Sequence, residues 1–340
     1  MKKILSRALP ATQSITAGEP LRGAFSGLRP EPRDKRPIAS RKVTTAFIAF
    51  TLALILWAPQ LFANKLKVVT TYPYIASIAG QIGGDRIKVD FLARGDYDPH
   101  TIVPKPSFIA RLRKADLLII NGAQMEIGWL PPLLRQAGNP AVNPGNAGFL
   151  DLSRSVKLID VPVSVSREQG DIHPDGNPHY YLDPHNIPSL ARSILAKLSA
   201  LDSHNAAYYR SRHDEFARIW GAKSAEWDRK FASLKGKRVI EYHKNFDYIL
   251  RRHGIVLAGT IEPLPGIPPT SKHIEKLEGT IAAGRIALIL QDVYNADDAA
   301  RHLSKKFGIP MVKLPHDVGA VPAAEGIISL FDEIVRRLGQ

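Results

Sequence analysis

The 340-residue chain has no cysteine. That excludes disulfides, metal sites built on thiolates, and attachment to a membrane through an acylated N-terminal cysteine. Histidine and carboxylate remain as the side chains able to hold a transition metal. The chain also lacks a His-Glu-x-x-His phrase, so the helical arrangement that gives a zinc hydrolase two ligands from one turn is missing. The apolar stretch from Val43 to Ala58 falls short of the ~20 residues that span a bilayer. The basic tract before it has no series of aromatic rings among its charges, so no stacking platform for nucleic acid is expected.

Half of the formal net charge of +14 sits in the first 63 residues, where ten Lys or Arg face only Glu19, Glu31 and Asp34. Arg41-Lys42, the apolar stretch and the segment Pro59 to Ala63 have the order basic, apolar, small that marks a secretory signal peptide. Residues 1–63 are therefore read as a basic leader plus signal peptide, with cleavage near Ala63 and a periplasmic location for the rest. The leader itself is rich in Arg, Pro and Ser without periodicity, the composition of a disordered segment. The remainder of the chain is long enough for two domains with their own cores.

From Lys65 the chain alternates β-branched runs with helical stretches. Strands are predicted at Leu66–Thr71, Ile87–Leu92 and Asp116–Ile120, and helices at Ile75–Ile82 and Phe108–Lys114, the latter capped by Ser107. A turn-rich stretch from Gly138 to Gly148 and a loop from Ser164 to Pro178 read as surface excursions. Pro188 opens a long helical region, broken near Asp202-Ser203. Its apolar residues from Tyr209 onward recur at three- and four-residue steps, as one buried face requires. A second alternating block comes after it, with strands at Arg238–Tyr242, Ile255–Ala258, Ile286–Leu290 and Pro310–Leu314 and a closing helix at Glu325–Leu338. Alternation of this kind predicts an α/β fold with parallel-rich sheets flanked by helices. The expected layout is a first lobe over 64–202, a linking helix over 203–235, and a similar second lobe over 236–340.

Four residues fall on or beside Pro- or Gly-marked turns: His100 in Asp98-Pro99-His100, His179 in Asn177-Pro178-His179, His243 after Tyr242, and Asp317 in His316-Asp317-Val318-Gly319. Three imidazoles and a carboxylate form a ligand set suited to Zn²⁺. In open α/β sheets, ligands bind beyond the carboxyl ends of the strands. His243 follows its strand directly and Asp317 comes just after the last strand, so two ligands from each lobe would clamp an ion in the cleft. His185 and His316 compete with these positions but read more simply as turn residues. Asp171, His173 and Asp175 have the chemistry of weak accessory metal ligands but read more simply as solvated loop residues. Glu262 is either an outer-shell partner of an imidazole or a turn carboxylate.

These phrases resemble the ligand blocks of periplasmic zinc and manganese binding proteins of ABC importers. Asp98-Pro99-His100-Thr101-Ile102-Val103-Pro104-Lys105-Pro106-Ser107 with Ala115 to Gly122 is similar to the first block. Asn177 to Pro184 is similar to the second, and Tyr242-His243 with Ile261 to Gly266 to the third. The resemblance covers Lys65 to the C-terminus. It implies two lobes on a rigid helix, one divalent ion in the cleft and delivery to a membrane permease. It also implies His100, His179, His243 and Asp317 as metal ligands. A third imidazole at His243 favours Zn²⁺, since oxygen donors suit Mn²⁺ better. Two departures stand out: Asp317 is followed by Val318-Gly319 where the family has proline, and the His-rich loop of many zinc members is reduced to Asp171, His173 and Asp175.

The expectation is thus a monomeric, non-enzymatic solute-binding protein that carries Zn²⁺. An Mn²⁺ or Fe²⁺ carrier of the same family and a zinc hydrolase are the alternatives. Metal affinity is expected to fall as the imidazoles protonate near pH 6.5.

Overall fold

The computed structural model describes residues 65–164 and 173–339. The expected leader and signal peptide, and Asp171, lie outside the described residues.

Two four-stranded parallel sheets form the frame. The first contains β1 (Leu66–Thr70), β2 (Ile87–Phe91), β3 (Leu117–Ile120) and β4 (Phe149–Asp151) in the order β2-β1-β3-β4. The second contains β5 (Arg238–Glu241), β6 (Val256–Thr260), β7 (Ile286–Asp292) and β8 (Met311–Leu314) in the order β6-β5-β7-β8. The two orders are the same relative to chain direction, which makes the lobes topological copies. The predicted α/β fold of two similar lobes is borne out. Strand β4 was hidden in the sequence behind the surrounding Asn, Pro and Gly residues; it has three residues, all half-buried, and pairs with β3 alone.

Helices α1 (Pro73–Gly83), α2 (Pro106–Arg113) and α3 (Leu130–Ala137) belong to the first lobe. Each has proline in its first turn, where the missing N–H costs nothing and the fixed φ suits a helix. This moves the start of α2 to Pro106 and places Ser107 inside the first turn, without a capping bond. Helix α4 (Ile187–Leu201) and the 26-residue helix α5 (Ala206–Phe231) are separated by a short 3₁₀ turn at Ser203–Asn205. At 1.5 Å per residue, α5 is about 39 Å long. Its buried stripe of Tyr209, Phe216, Trp220, Ser224, Trp227 and Phe231 follows the predicted spacing.

The second lobe adds α6 (Asp247–Arg252), α7 (Ser271–Ala283), α8 (Asp298–Phe307) and α9 (Ile327–Leu338). Phe331 of α9 packs against Trp220 and Trp227 of α5 at ring-centroid distances of 5.5 and 5.2 Å. The Trp227 indole N–H donates to Asp332 Oδ1. One apolar cluster runs from the first sheet through α5 to Val239, Leu290 and Leu314 of the second. A smaller cluster, with Ile240, Ile289 and Leu303, fills the outer face of the second lobe. The strand ends of both sheets are thereby held in fixed relation.

Candidate metal centre

Each candidate side chain is delivered by a different local device. His243 stands two residues beyond the end of β5. His100 lies in the loop after β2, where its backbone N–H and the Thr101 hydroxyl both donate to the Asp98 carboxylate. Tyr72 holds the same turn through a hydrogen bond from its hydroxyl to Pro99 O. His179 opens a 3₁₀ turn, His179–Leu182, and its N–H donates to Asn177 Oδ1.

The three imidazoles converge. Nε2 of His179 lies 3.2 Å from Nε2 of His100 and 3.2 Å from Nε2 of His243. The ring of His179 stands at 81° and 86° to its two neighbours, so edges meet rather than faces. Among the described residues this trio is the one group of three or more His or carboxylate side chains gathered closely enough to hold an ion. His179 Nε2 faces two nitrogens with at most one hydrogen to offer, and its Nδ1 is buried without a hydrogen-bond partner. A shared proton satisfies such a trio poorly, whereas a cation at its centre takes a lone pair from each ring.

Charge and burial set the proton states. Burial, followed by repulsion from neighbouring imidazoles, holds His100 and His179 well below the usual histidine range. Both rings are thus neutral near pH 7 and able to ligate. His243 Nδ1 lies 2.6 Å from Glu262 Oε2, and Glu262 Oε1 accepts from the N–H of Gly266 at 2.9 Å. The carboxylate fixes the imidazole proton on Nδ1 and leaves the Nε2 lone pair pointing at the trio. Of the two sequence readings of Glu262, the outer-shell partner describes this contact.

Asp317 is placed differently. Its carboxylate atoms are not within the 4.8 Å group that joins the three imidazoles. Oδ1 accepts from the backbone N–H groups of Tyr74 and Val318, while Oδ2 has no hydrogen-bond partner among the described residues. Tyr74 belongs to the first turn of α1, whose own N-cap residue, Tyr72, makes no side-chain capping bond. Asp317 therefore caps a helix of the opposite lobe, where the helix dipole favours a carboxylate. Burial pushes its carboxyl up to about 8, against the lowering effect of the two N–H donors.

The other sequence candidates separate. His185 pairs with Asp228, 2.9 Å away on α5. His316 Nε2 lies 3.1 Å from Tyr97 O and its ring meets Tyr294 edge-on. His173, read from sequence as a solvated loop residue, is instead largely buried: its ring stacks 5.0 Å from His100, its Nε2 has no partner, and burial lowers it to about 4. It lines a cavity of about 250 Å³ together with Asn177, His179, His243, Lys244 and Glu262. No local pattern around His173 signalled this, because the residues around it, His100 and His243 among them, are distant in the chain.

The family profile described as "ZnuA: Zinc-uptake complex component A periplasmic" matches residues 68–339. The chain belongs to this family. A relative from Bacillus subtilis, the high-affinity zinc uptake system protein ZnuA, is 25% identical over 257 residues, covering 72% of this chain and 76% of its own length. The manganese ABC transporter substrate-binding lipoprotein PsaA of Streptococcus mitis is 24% identical over 282 residues, covering 80% and 88%. Among solved structures, a crystal structure of ZnuA superposes with a TM-score of 0.65 at 19% identity, covering 81% of this chain and 98% of the other. The manganese-bound periplasmic metal binding protein of Candidatus Liberibacter asiaticus gives 0.67 at 16%, with the same coverage. These structures support the fold. Zinc and manganese members are matched about equally well, so similarity alone does not choose between the metals.

Proposed function

We propose that this member of the zinc-uptake family is the periplasmic metal-binding component of an ABC importer, that its cargo is Zn²⁺, and that it hands the ion to a membrane permease without chemical turnover. The observation that carries the reading is the pair of 3.2 Å Nε2···Nε2 separations. Ligands placed tetrahedrally at a metal–nitrogen distance of roughly 2.0 to 2.1 Å stand about 3.3 to 3.4 Å apart, so the trio is close to assembled. Three neutral nitrogens favour Zn²⁺ over the harder Mn²⁺.

His100, His179 and His243 are the proposed imidazole ligands, and Asp317, through Oδ2, the proposed fourth donor. Four protein donors would leave no open position at which the ion could activate water, which supports a carrier over a hydrolase. The zinc and manganese carriers among the relatives support the importer, the permease partner and the extracytoplasmic location. Competition calorimetry of Zn²⁺ against Mn²⁺ on residues 64–340, with His243→Ala alongside, tests the reading. One equivalent of Zn²⁺, held more tightly than Mn²⁺ and weakened in the variant, is expected. Preference for Mn²⁺ would overturn the cargo, and absence of metal binding would overturn the function.

A further inference from the structure

His179 belongs by sequence to the first lobe, yet its turn is gripped from the second. Three contacts do this, and all come from the loop after β5 and from α6. The side-chain amide of Asn177 accepts the N–H of His179 at 2.9 Å through Oδ1 and donates to Lys244 O at 2.9 Å through Nδ2. Lys244 follows His243 directly. One buried amide therefore spans the backbones of two ligand-bearing segments from opposite lobes. On one side of it, the Tyr248 hydroxyl of α6 donates to Asn177 O and accepts from Ile159 N. On the other, Arg252 of α6 meets the Asp183 carboxylate just beyond the 3₁₀ turn, with Nε 2.7 Å from both oxygens.

The approach is close. Gly176, at φ 114, has no room for a Cβ, which would meet Ile159 O at 2.6 Å. Asn177 N in turn donates to Ile159 O at 2.8 Å. Residues 159, 177 and 248 are thus joined in a ring of three hydrogen bonds. The bonds that locate His100, by contrast, come from Asp98 and Tyr72, both of its own lobe.

We infer that Asn177 is a positioning residue for the metal site: it ties the backbones carrying His179 and His243 into one preassembled two-nitrogen unit, to which His100 is added from the first lobe. The inference rests on the metal-carrier reading above. Preassembly matters because a site whose ligands are already held loses less freedom on binding, so removing the tie lowers affinity without removing a ligand. Asparagine suits the position because one side chain must accept and donate at the same time. Aspartate would lose the donor to Lys244 O.

The test compares Asn177→Ala with a control of similar local effect, Asn139→Ala. Asn139 Nδ2 donates to Leu112 O and Ala115 O within the first lobe and touches no ligand segment. Zn²⁺ affinity by chelator competition and the Tm of the metal-free protein are measured for both, with Tyr248→Phe as a milder cut of the same tie. Asn177→Ala is expected to weaken Zn²⁺ by roughly 10- to 100-fold, as loss of an outer-shell partner does. Tyr248→Phe should weaken it less, and Asn139→Ala should lower Tm with affinity unchanged. The inference is overturned if Asn177→Ala binds within about twofold of wild type, or if both asparagine variants lose affinity in step with Tm. Absence of Zn²⁺ binding by the wild-type protein would instead remove the carrier reading on which it rests.

Discussion

Replacing Glu262 by glutamine probes how the second lobe prepares its imidazole. Glu262 uses both oxygens, Oε2 toward His243 Nδ1 at 2.6 Å and Oε1 toward Gly266 N–H at 2.9 Å, and both His243 and Glu262 side chains are about nine-tenths buried. Glutamine supplies one acceptor and one NH₂ group in the same space. If its oxygen faces His243, the amide nitrogen opposes Gly266 N–H, and the turn from Glu262 to Gly266 loses its anchor. If its NH₂ faces His243, the imidazole must carry its proton on Nε2, the atom that should bind the ion. Either outcome costs affinity, and both lose the negative charge beside the ring. Loss of such a partner lowers metal affinity by roughly 10- to 100-fold, about 1.4 to 2.7 kcal/mol. Competition for Zn²⁺ with a chromophoric chelator measures it. Affinity within twofold of wild type would refute the argument that Glu262 sets the His243 tautomer.

The remaining predictions concern the carboxylate, proton release and the seam between lobes. Asp317→Asn keeps an acceptor for Tyr74 N–H and should leave metal-free stability close to wild type while weakening Zn²⁺ binding. Asp317→Ala should also lose the cap on α1, about 1 kcal/mol in urea unfolding of the metal-free protein. With its carboxyl raised to about 8, Asp317 is mostly protonated at pH 7, so an ion it ligates must displace that proton. About one proton per Zn²⁺ from this group should appear below pH 8 as a buffer-dependent binding enthalpy, with affinity falling as pH drops. Because His100 and His179 are already held neutral, their protonation should weaken binding only well below the pH of about 6.5 expected from an ordinary histidine. Gly95→Ala places a Cβ 1.9 Å from Val318 O. It should destabilise the fold by about 1 to 3 kcal/mol and weaken metal binding by displacing the segment that carries Asp317, read by thermal unfolding and chelator competition.

Much of the fold was legible because parallel strands buried on both faces and helices with one apolar stripe leave strong periodic patterns. The stripe from Tyr209 to Phe231 and the runs at Val68-Val69 and Leu117 to Ile120 are of this kind. Strand β4 was not legible: three half-buried residues between turns carry no period. The start of α2 was misplaced because Ser107 has the chemistry of a cap, yet Pro106 had already set the helical φ one residue earlier. His100, His179 and His243 were readable from their phrases, since each sits where a short motif ends an element or opens a turn. The bond from Tyr74 N–H to Asp317 Oδ1, the stacking of His173 on His100 and the bridge made by Asn177 were not, because each depends on a partner more than 60 residues away.

The amino-acid sequence by itself determined the donor chemistry. Without cysteine any transition-metal ligands had to be imidazole and carboxylate, and the alternating pattern placed the candidate donors near the ends of two parallel sheets. Only the tertiary structure decided how those donors meet. The 3.2 Å approaches of His179 Nε2 to the other two imidazoles, the carboxylate that fixes a tautomer and the aspartate that caps a helix of the other lobe are contacts between separate elements of the fold. Local propensity carries no information about such distances; the packing of both lobes on α5 sets them.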